Sequence, residues 1–462
     1  SLKVWSRDPG RALRVVSGGI QTLLGREHAP LKERARSLAG RLRETPAFLE
    51  GALPLVGEPP LVLTEQALVH ADGLATTLLD GIPSATAALE DSALVAELAE
   101  AAASALRAVL AYREALSRDI LPRSRPDFAL GPVLFSSYLR AAEGIATPLP
   151  LLRARAEEDI RRYDARFTAT AARIDSTRSP RSVMLTVSGD HPEPGGLLAA
   201  AAEAIREAQA FTLREESLRL PPGPPVLVRA TPAQSRWSNA SLSAPGPFEQ
   251  AELPGLFFVT SPDPSAPPAE QLEMLRFFNR SLLRNIALHE TYPGHYLHAL
   301  TQASLARPAR RAVWSRAFGE GWAHYVEGLS IERGFRREDD AFRLASQQSA
   351  LRRAGRFRVA LGLHTEGWSI DEAARYLETH CYLEPVMARR EAERGGFDPL
   401  YLVYALGRSE IESLRAEVMR AEGAEFDLAR FHARLLGLGA PPLPLARAYM
   451  LRESIAPPRW LD

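Results

Sequence analysis

The stretch His289-Glu290-Thr291-Tyr292-Pro293-Gly294-His295 sets two imidazoles and a carboxylate close together in the chain. Neutral imidazole nitrogens and carboxylate oxygens are donors that suit zinc, so the stretch reads as part of a metal site. Taken alone, it also reads as a helix end with a Pro-Gly turn and two incidental histidines. The neighbourhood favours the metal. Four of the ten histidines, His289, His295, His298 and His324, fall within 36 residues, and residues 319–327 add Glu320 and Glu327. A third ligand is therefore at hand.

The nearest familiar pattern is His-Glu-x-x-His, in which two histidines one helical turn apart bind zinc and the glutamate acts as general base. Here the second histidine comes two residues late. Six residues at roughly 100° each rotate His295 about 120° from His289, so a regular helix would not aim both at one ion. Pro293 cannot donate to the carbonyl of His289, and Gly294 permits unusual dihedrals, so a bulged or broken turn is expected between the histidines.

These side chains need elements to hold them. In residues 271–288, Leu272, Leu275, Phe278, Leu282, Leu283 and Ile286 recur at spacings of three and four, which predicts one amphipathic helix delivering His289 to the interior. Residues 237–261 read as strand, Pro-Gly turn, loop and strand feeding that helix. Such a unit is either a structural hairpin or an edge strand able to pair with an extended substrate. Other strand candidates are the β-branched runs at 183–187, 226–231 and 256–260. Residues 13–24, 31–42, 61–79 and 92–116 carry helical periodicity, and more helix follows a proline-containing break at 121–126. The expected organisation is a single chain, 1–462, with a helical lobe at 1–180. A small sheet with proline-rich connectors follows at 181–262, and a helical metal-site lobe at 263–462. His28 and His70, in the first lobe, are expected to be structural.

Composition narrows the function classes. Lys plus Arg and Asp plus Glu each number 56, so no global charge argues for nucleic acid or an anionic membrane. The basic residues are almost all arginine, with Lys3 and Lys32 the only lysines, so a lysine nucleophile is not expected. Cys381 is the only cysteine, which excludes an internal disulfide and a thiolate cluster; a metal must be held by histidine and carboxylate. No run reaches about 18 apolar residues, so no membrane span is expected. The compartment is open between the cytoplasm and export with a trimmed signal, and nothing in the sequence sets the oligomeric state.

Together these motifs amount to a resemblance. The His-Glu-x-x-Pro-Gly-His element and Glu320-Gly-Trp-Ala-x-Tyr-x-Glu327 are similar to the paired signatures of the bacterial family catalogued as domain of unknown function 885. Gly362-Leu363-His364-x-x-Gly367-Trp368-Ser369, Tyr404-x-x-Gly407, Leu414-Arg415 and Gly439-Ala440-x-x-x-Pro444-Leu445 match in the same order, from Arg7-Asp8-Pro9 onward. The family resembles zinc peptidases whose third ligand is glutamate. The resemblance thus implies a mainly α, multi-helix zincin-like fold with a small β-sheet next to the metal-site helices.

It also implies roles. His289, His295 and Glu320 match the zinc ligands, one ion per chain, and Glu290 the general base. Tyr404 matches a hydrogen-bond donor to the tetrahedral oxyanion, and His364 a residue that shares that work or orients substrate. Glu327, two helical turns after Glu320, is expected to orient a ligand histidine, while His324 and His298 are rival ligands. The sequence departs from the family pattern at His298, Ala360 and Asp398-Pro399-Leu400-Tyr401. The expectation is a zinc-dependent hydrolase of peptide or small amide substrates. The alternatives are an inactive binding protein that keeps the fold and a di-iron helical protein, which would need Glu-x-x-His pairs on separate helices.

Overall fold

The computed structural model describes residues 3–236, 238–249 and 253–452. Packing divides the chain into two compact units, Ser1–Phe128 with Thr231–Asn239, and Ala129–Ala230 with Ala240–Asp462.

The first unit is helical where the periodicity predicts it, over Gly10–Gly25, Leu31–Ala52, Leu61–Thr76 and Ser92–Ala115. Leu13, Leu38, Leu42, Leu74, Leu98 and Val109 form its core. The second of these helices runs on past residue 42, through Pro46, because Leu49 and Ala52 still bury the same apolar stripe. The two histidines here have structural partners. His70 Nε2 lies 2.9 Å from Ser17 Oγ, and His28 Nδ1 lies 3.0 Å from the carbonyl of Arg26.

The second unit is mainly helical around a three-stranded sheet of β1 (Val226–Ala230), β2 (Ala240–Ser243) and β3 (Gly255–Val259). The order is β1-β3-β2, with β3 parallel to β1 and antiparallel to β2. β3 is buried along its length and paired on both sides, so the strand that leads toward the histidine helix is central rather than an edge. The reading of a strand from Trp237 and a continuous unit across residues 250–252 falls outside the described residues. The sheet does lie beside the histidine helices: a Cβ on Gly255 would come within 2.7 Å of the Tyr296 ring, next to His295. Helices from residues 131 to 174, which the sequence groups with the N-terminal lobe, pack in this second unit. There Leu149–Ile174 lies along Asp340–Thr365.

Two local expectations are overturned. Residues 183–187 are not a strand but the body of the helix Pro180–Ser188. Ser179 Oγ accepts the Ser182 N–H at 3.3 Å and Pro180 opens the first turn, and these helix-start signals outweigh β-branched propensity. The run 271–288 is not one helix but two, Pro268–Phe277 and Arg280–Glu290. Asn279 breaks it, because its Oδ1 accepts the Leu282 N–H at 2.9 Å as an N-cap.

Glycines set the closest helix approach. A Cβ on Gly321 would meet the Cα of Gly407 at 2.7 Å, so the helices Arg316–Glu332 and Val403–Glu422 cross nearly backbone to backbone. That crossing brings Glu320 and Tyr404 to the same end of the unit.

Candidate metal centre

The helix carrying His289 ends at Glu290, and a new helix starts at His295. The expected break is present. Thr291 Oγ1 caps the carbonyl of Ala287 at 2.7 Å, and the Thr291 carbonyl accepts the N–H groups of Tyr296 and Leu297. Trp322 Nε1 donates to the carbonyl of Pro293 at 3.0 Å, pinning the turn to the helix that carries Glu320. Gly294 is required there, since a Cβ would collide with the carbonyl of His289. The two extra residues are thus taken up by a turn that re-aims the second imidazole.

The result is a convergence. His289 Nε2 lies 3.4 Å and His295 Nε2 3.3 Å from Glu320 Oε2, and the two imidazole planes stand at 83°. Ligand atoms of these three side chains all lie within 4.8 Å of one another, the one such group among the described residues. Ligands held tetrahedrally at about 2.0–2.1 Å from zinc stand roughly 3.3–3.4 Å apart. Glu320 Oε2 is buried and has no hydrogen-bond partner, an orphan acceptor that a metal ion would satisfy. The donor set therefore fits a divalent ion such as zinc.

Glu327 holds the first histidine from behind. His289 Nδ1 donates to Glu327 Oε1 at 2.7 Å, which turns Nε2 toward Glu320. Glu327 also accepts from Asn285 Nδ2 at 2.8 Å and pairs with Arg353 at 2.9 Å. Burial pushes the Glu327 carboxyl up, but Arg353 and His289 outweigh it and hold it well below the usual carboxylate range. The same balance acts on Glu320, where burial is outweighed by the two imidazoles. Glu290 feels His289, His295 and Glu320, and here burial wins and raises its carboxyl.

Tyr404 stands beside this group. Its ring stacks on His289 with centroids 6.3 Å apart, and its hydroxyl oxygen accepts from Arg394 Nη2 at 3.0 Å. Arg316 and Arg356 also lie over the Tyr404 ring, each tied to an acid, Asp398 and Glu391 respectively. Asp398, one of the departures from the family pattern, thus anchors an arginine against Tyr404.

Other expected residues lie elsewhere. His298 is not brought into the ligand group: it is buried between Trp314 and Phe318 with Nε2 3.3 Å from the carbonyl of Gly439. His324 is likewise outside it, with Nδ1 3.4 Å from the backbone carbonyl of Tyr404, and burial and Arg408 hold it neutral. His364 Nε2 lies 2.8 Å from the Gly395 carbonyl and its ring stacks on Phe135, a packing position in the core. Arg415 pairs with Glu332, and Arg408, which is buried, pairs with Glu412. Asn285 and Arg353 are contributors that the sequence reading misses. Asn285 sits one turn before His289 on the buried face, a signal that was present; a buried arginine leaves none.

Comparison with known proteins adds the family and the fold. No curated protein matches the chain. Among solved structures, it is similar to a candidate lipoprotein of unknown function from Shewanella oneidensis. That match has 23% identity and a TM-score of 0.75, and covers 98% of this chain and 84% of that one. It is also similar to a candidate lipoprotein from Colwellia psychrerythraea, at 19% identity and a TM-score of 0.77 over 91% of this chain and 76% of that one. Both likenesses speak to fold. Residues 2–450 match the family model described as a bacterial protein of unknown function, DUF885, and the chain belongs to that family.

Proposed function

We propose that this chain is a zinc-dependent hydrolase of peptide or related amide bonds, with a zincin-like arrangement of helices around its small sheet. One observation carries the reading: two imidazole nitrogens from either side of a broken helix converge on a buried carboxylate oxygen that has no other partner. His289, His295 and Glu320 would hold the ion, and zinc there would supply a Lewis acid with a coordination position left for water or substrate.

The chain's own groups do the rest. Glu290, next to one ligand and out of the ligand group, takes a proton from the attacking water and returns it to the leaving nitrogen. Tyr404 uses its hydroxyl oxygen to accept from Arg394, which leaves its O–H to donate to the oxyanion of the tetrahedral intermediate. Glu327 fixes the tautomer of His289, and Arg353 keeps Glu327 charged. The solved relatives are described as candidate lipoproteins, and on that likeness we assign this chain to the exported side of the membrane. No described helix is long and apolar enough to cross a membrane.

The test is a mixed-sequence peptide library incubated with the zinc-loaded chain and with Glu290→Gln. The proposal expects amide cleavage that falls by roughly 10²- to 10⁴-fold in the variant while zinc is retained. A zinc-loaded wild-type chain that cleaves no amide would contradict the hydrolase reading.

A further inference from the structure

Beside Glu327, the second unit has a half-open chamber of about 330 Å³. It shares a wall of Arg166, Gly328, Ile331 and Arg408 with an outer cavity of about 510 Å³. Gly328 lets the Arg408 guanidinium lie against the helix backbone, since a Cβ there would sit 2.5 Å from Arg408 Nη2.

Four buried polar atoms of the chamber lining have no hydrogen-bond partner: Asn285 Oδ1, Arg343 Nε, Ser346 Oγ and Gln347 Oε1. Asn285 is fully buried, and because its Nδ2 is committed to Glu327, its Oδ1 is an unanswered acceptor. Ser346, 4% exposed, has an unpartnered hydroxyl. Buried polar groups in native proteins are satisfied by protein, water or ligand, so something occupies this space. The charges say what. Glu327 is matched by Arg353, and Glu412, in the outer cavity, by Arg408. Arg166, exposed on the shared wall, makes no hydrogen bond among the described residues and acts on Glu412 through its charge; with Arg343 and Arg408 it sets three guanidiniums against the one carboxylate of the lining, Glu327.

We propose that the chamber binds a small oxyanion that still carries a proton, of the inorganic phosphate class. Its bare oxygens accept from the Arg166 guanidinium and the Ser346 hydroxyl, and its remaining O–H donates to Asn285 Oδ1. The occupant then touches Asn285, which in turn holds the carboxylate that orients His289.

Equilibrium dialysis of inorganic phosphate against the metal-free full chain tests this without involving zinc. The expected result is one saturable phosphate per chain. Affinity falls at least about tenfold in Arg166→Gln and in Ser346→Ala, and is unchanged in His295→Ala. Arg166 is exposed, so that variant keeps the fold. Sulfate, which has no proton at neutral pH, binds at least about tenfold more weakly than phosphate. The assignment is overturned by an absence of saturable binding at millimolar phosphate, which would mean water alone fills the chamber. It is equally overturned by binding that ignores both chamber variants, that is lost in His295→Ala, or that treats sulfate and phosphate alike. Any of these leaves the hydrolase reading where it stands.

Discussion

His289 Nδ1 lies 2.7 Å from Glu327 Oε1, and neither residue is more than 4% exposed. This buried pair links the helix that ends at Glu290 to the helix that carries Glu320. Replacing Glu327 with Gln removes the charge that orients His289 and balances Arg353. Zinc affinity is expected to fall roughly 10- to 100-fold by chelator competition. The metal-free protein is expected to lose about 3–5 kcal/mol, because Arg353 is left buried against a neutral amide. An unchanged zinc affinity would show that Glu327 does not support the ligand.

The Gly321–Gly407 crossing predicts a stability difference between glycines. Gly321→Ala forces a Cβ into the Gly407 backbone and is expected to cost about 1–3 kcal/mol in urea denaturation. Gly18→Ala, on an exposed helical face with open space, is expected to stabilise by about 0.5–1 kcal/mol. Equal effects would mean that the two helices do not meet at Gly321.

Acid stability follows from three histidines, of which His298 and His432 are buried and His70 half-buried. Burial, foremost, pushes His70, His298 and His432 down to about 4. In the unfolded chain they protonate near pH 6.5, so between about 6.5 and 4 the unfolded state binds more protons. Stability therefore falls as pH drops through that window, by up to about 1.4 kcal/mol per pH unit for each histidine. Urea midpoints at pH 7 and pH 5 check this, with the lower midpoint expected at pH 5. A midpoint that rises on acidification would contradict the buried neutral assignment.

How much of this was legible in the sequence depends on the kind of signal. The His289 to His295 spacing, with Pro293 and Gly294 inside it, foretold a broken helix because proline and glycine act on the backbone directly. Glu320 and Glu327 stood two turns apart on one helix, so the proposed ligand and its proposed supporter could be placed together. The split of the run 271–288 was written in Asn279, but an apolar periodicity that continues across a cap hides it. The run 183–187 misled because β-branched residues favour strands only when tertiary context agrees, and Ser179-Pro180 had already set a helix start. The burial of Arg353 and Arg408 could not be read. Arg353 is buried because Glu327 meets it from another helix, and sequence spacing does not report that meeting. Arg408 has its partner Glu412 one turn on in the same helix, so the pair was visible, but the packing that buries it was not.

The most direct test of the account is metal content by elemental analysis of the wild-type chain beside His289→Ala, Glu320→Ala and His298→Gln. The account predicts about one zinc per chain in the wild type, loss of zinc in the first two variants, and retention in His298→Gln, whose imidazole faces Gly439 and not the cluster. A wild-type chain that takes up no zinc when zinc is supplied, or zinc that survives in both His289→Ala and Glu320→Ala, would contradict it.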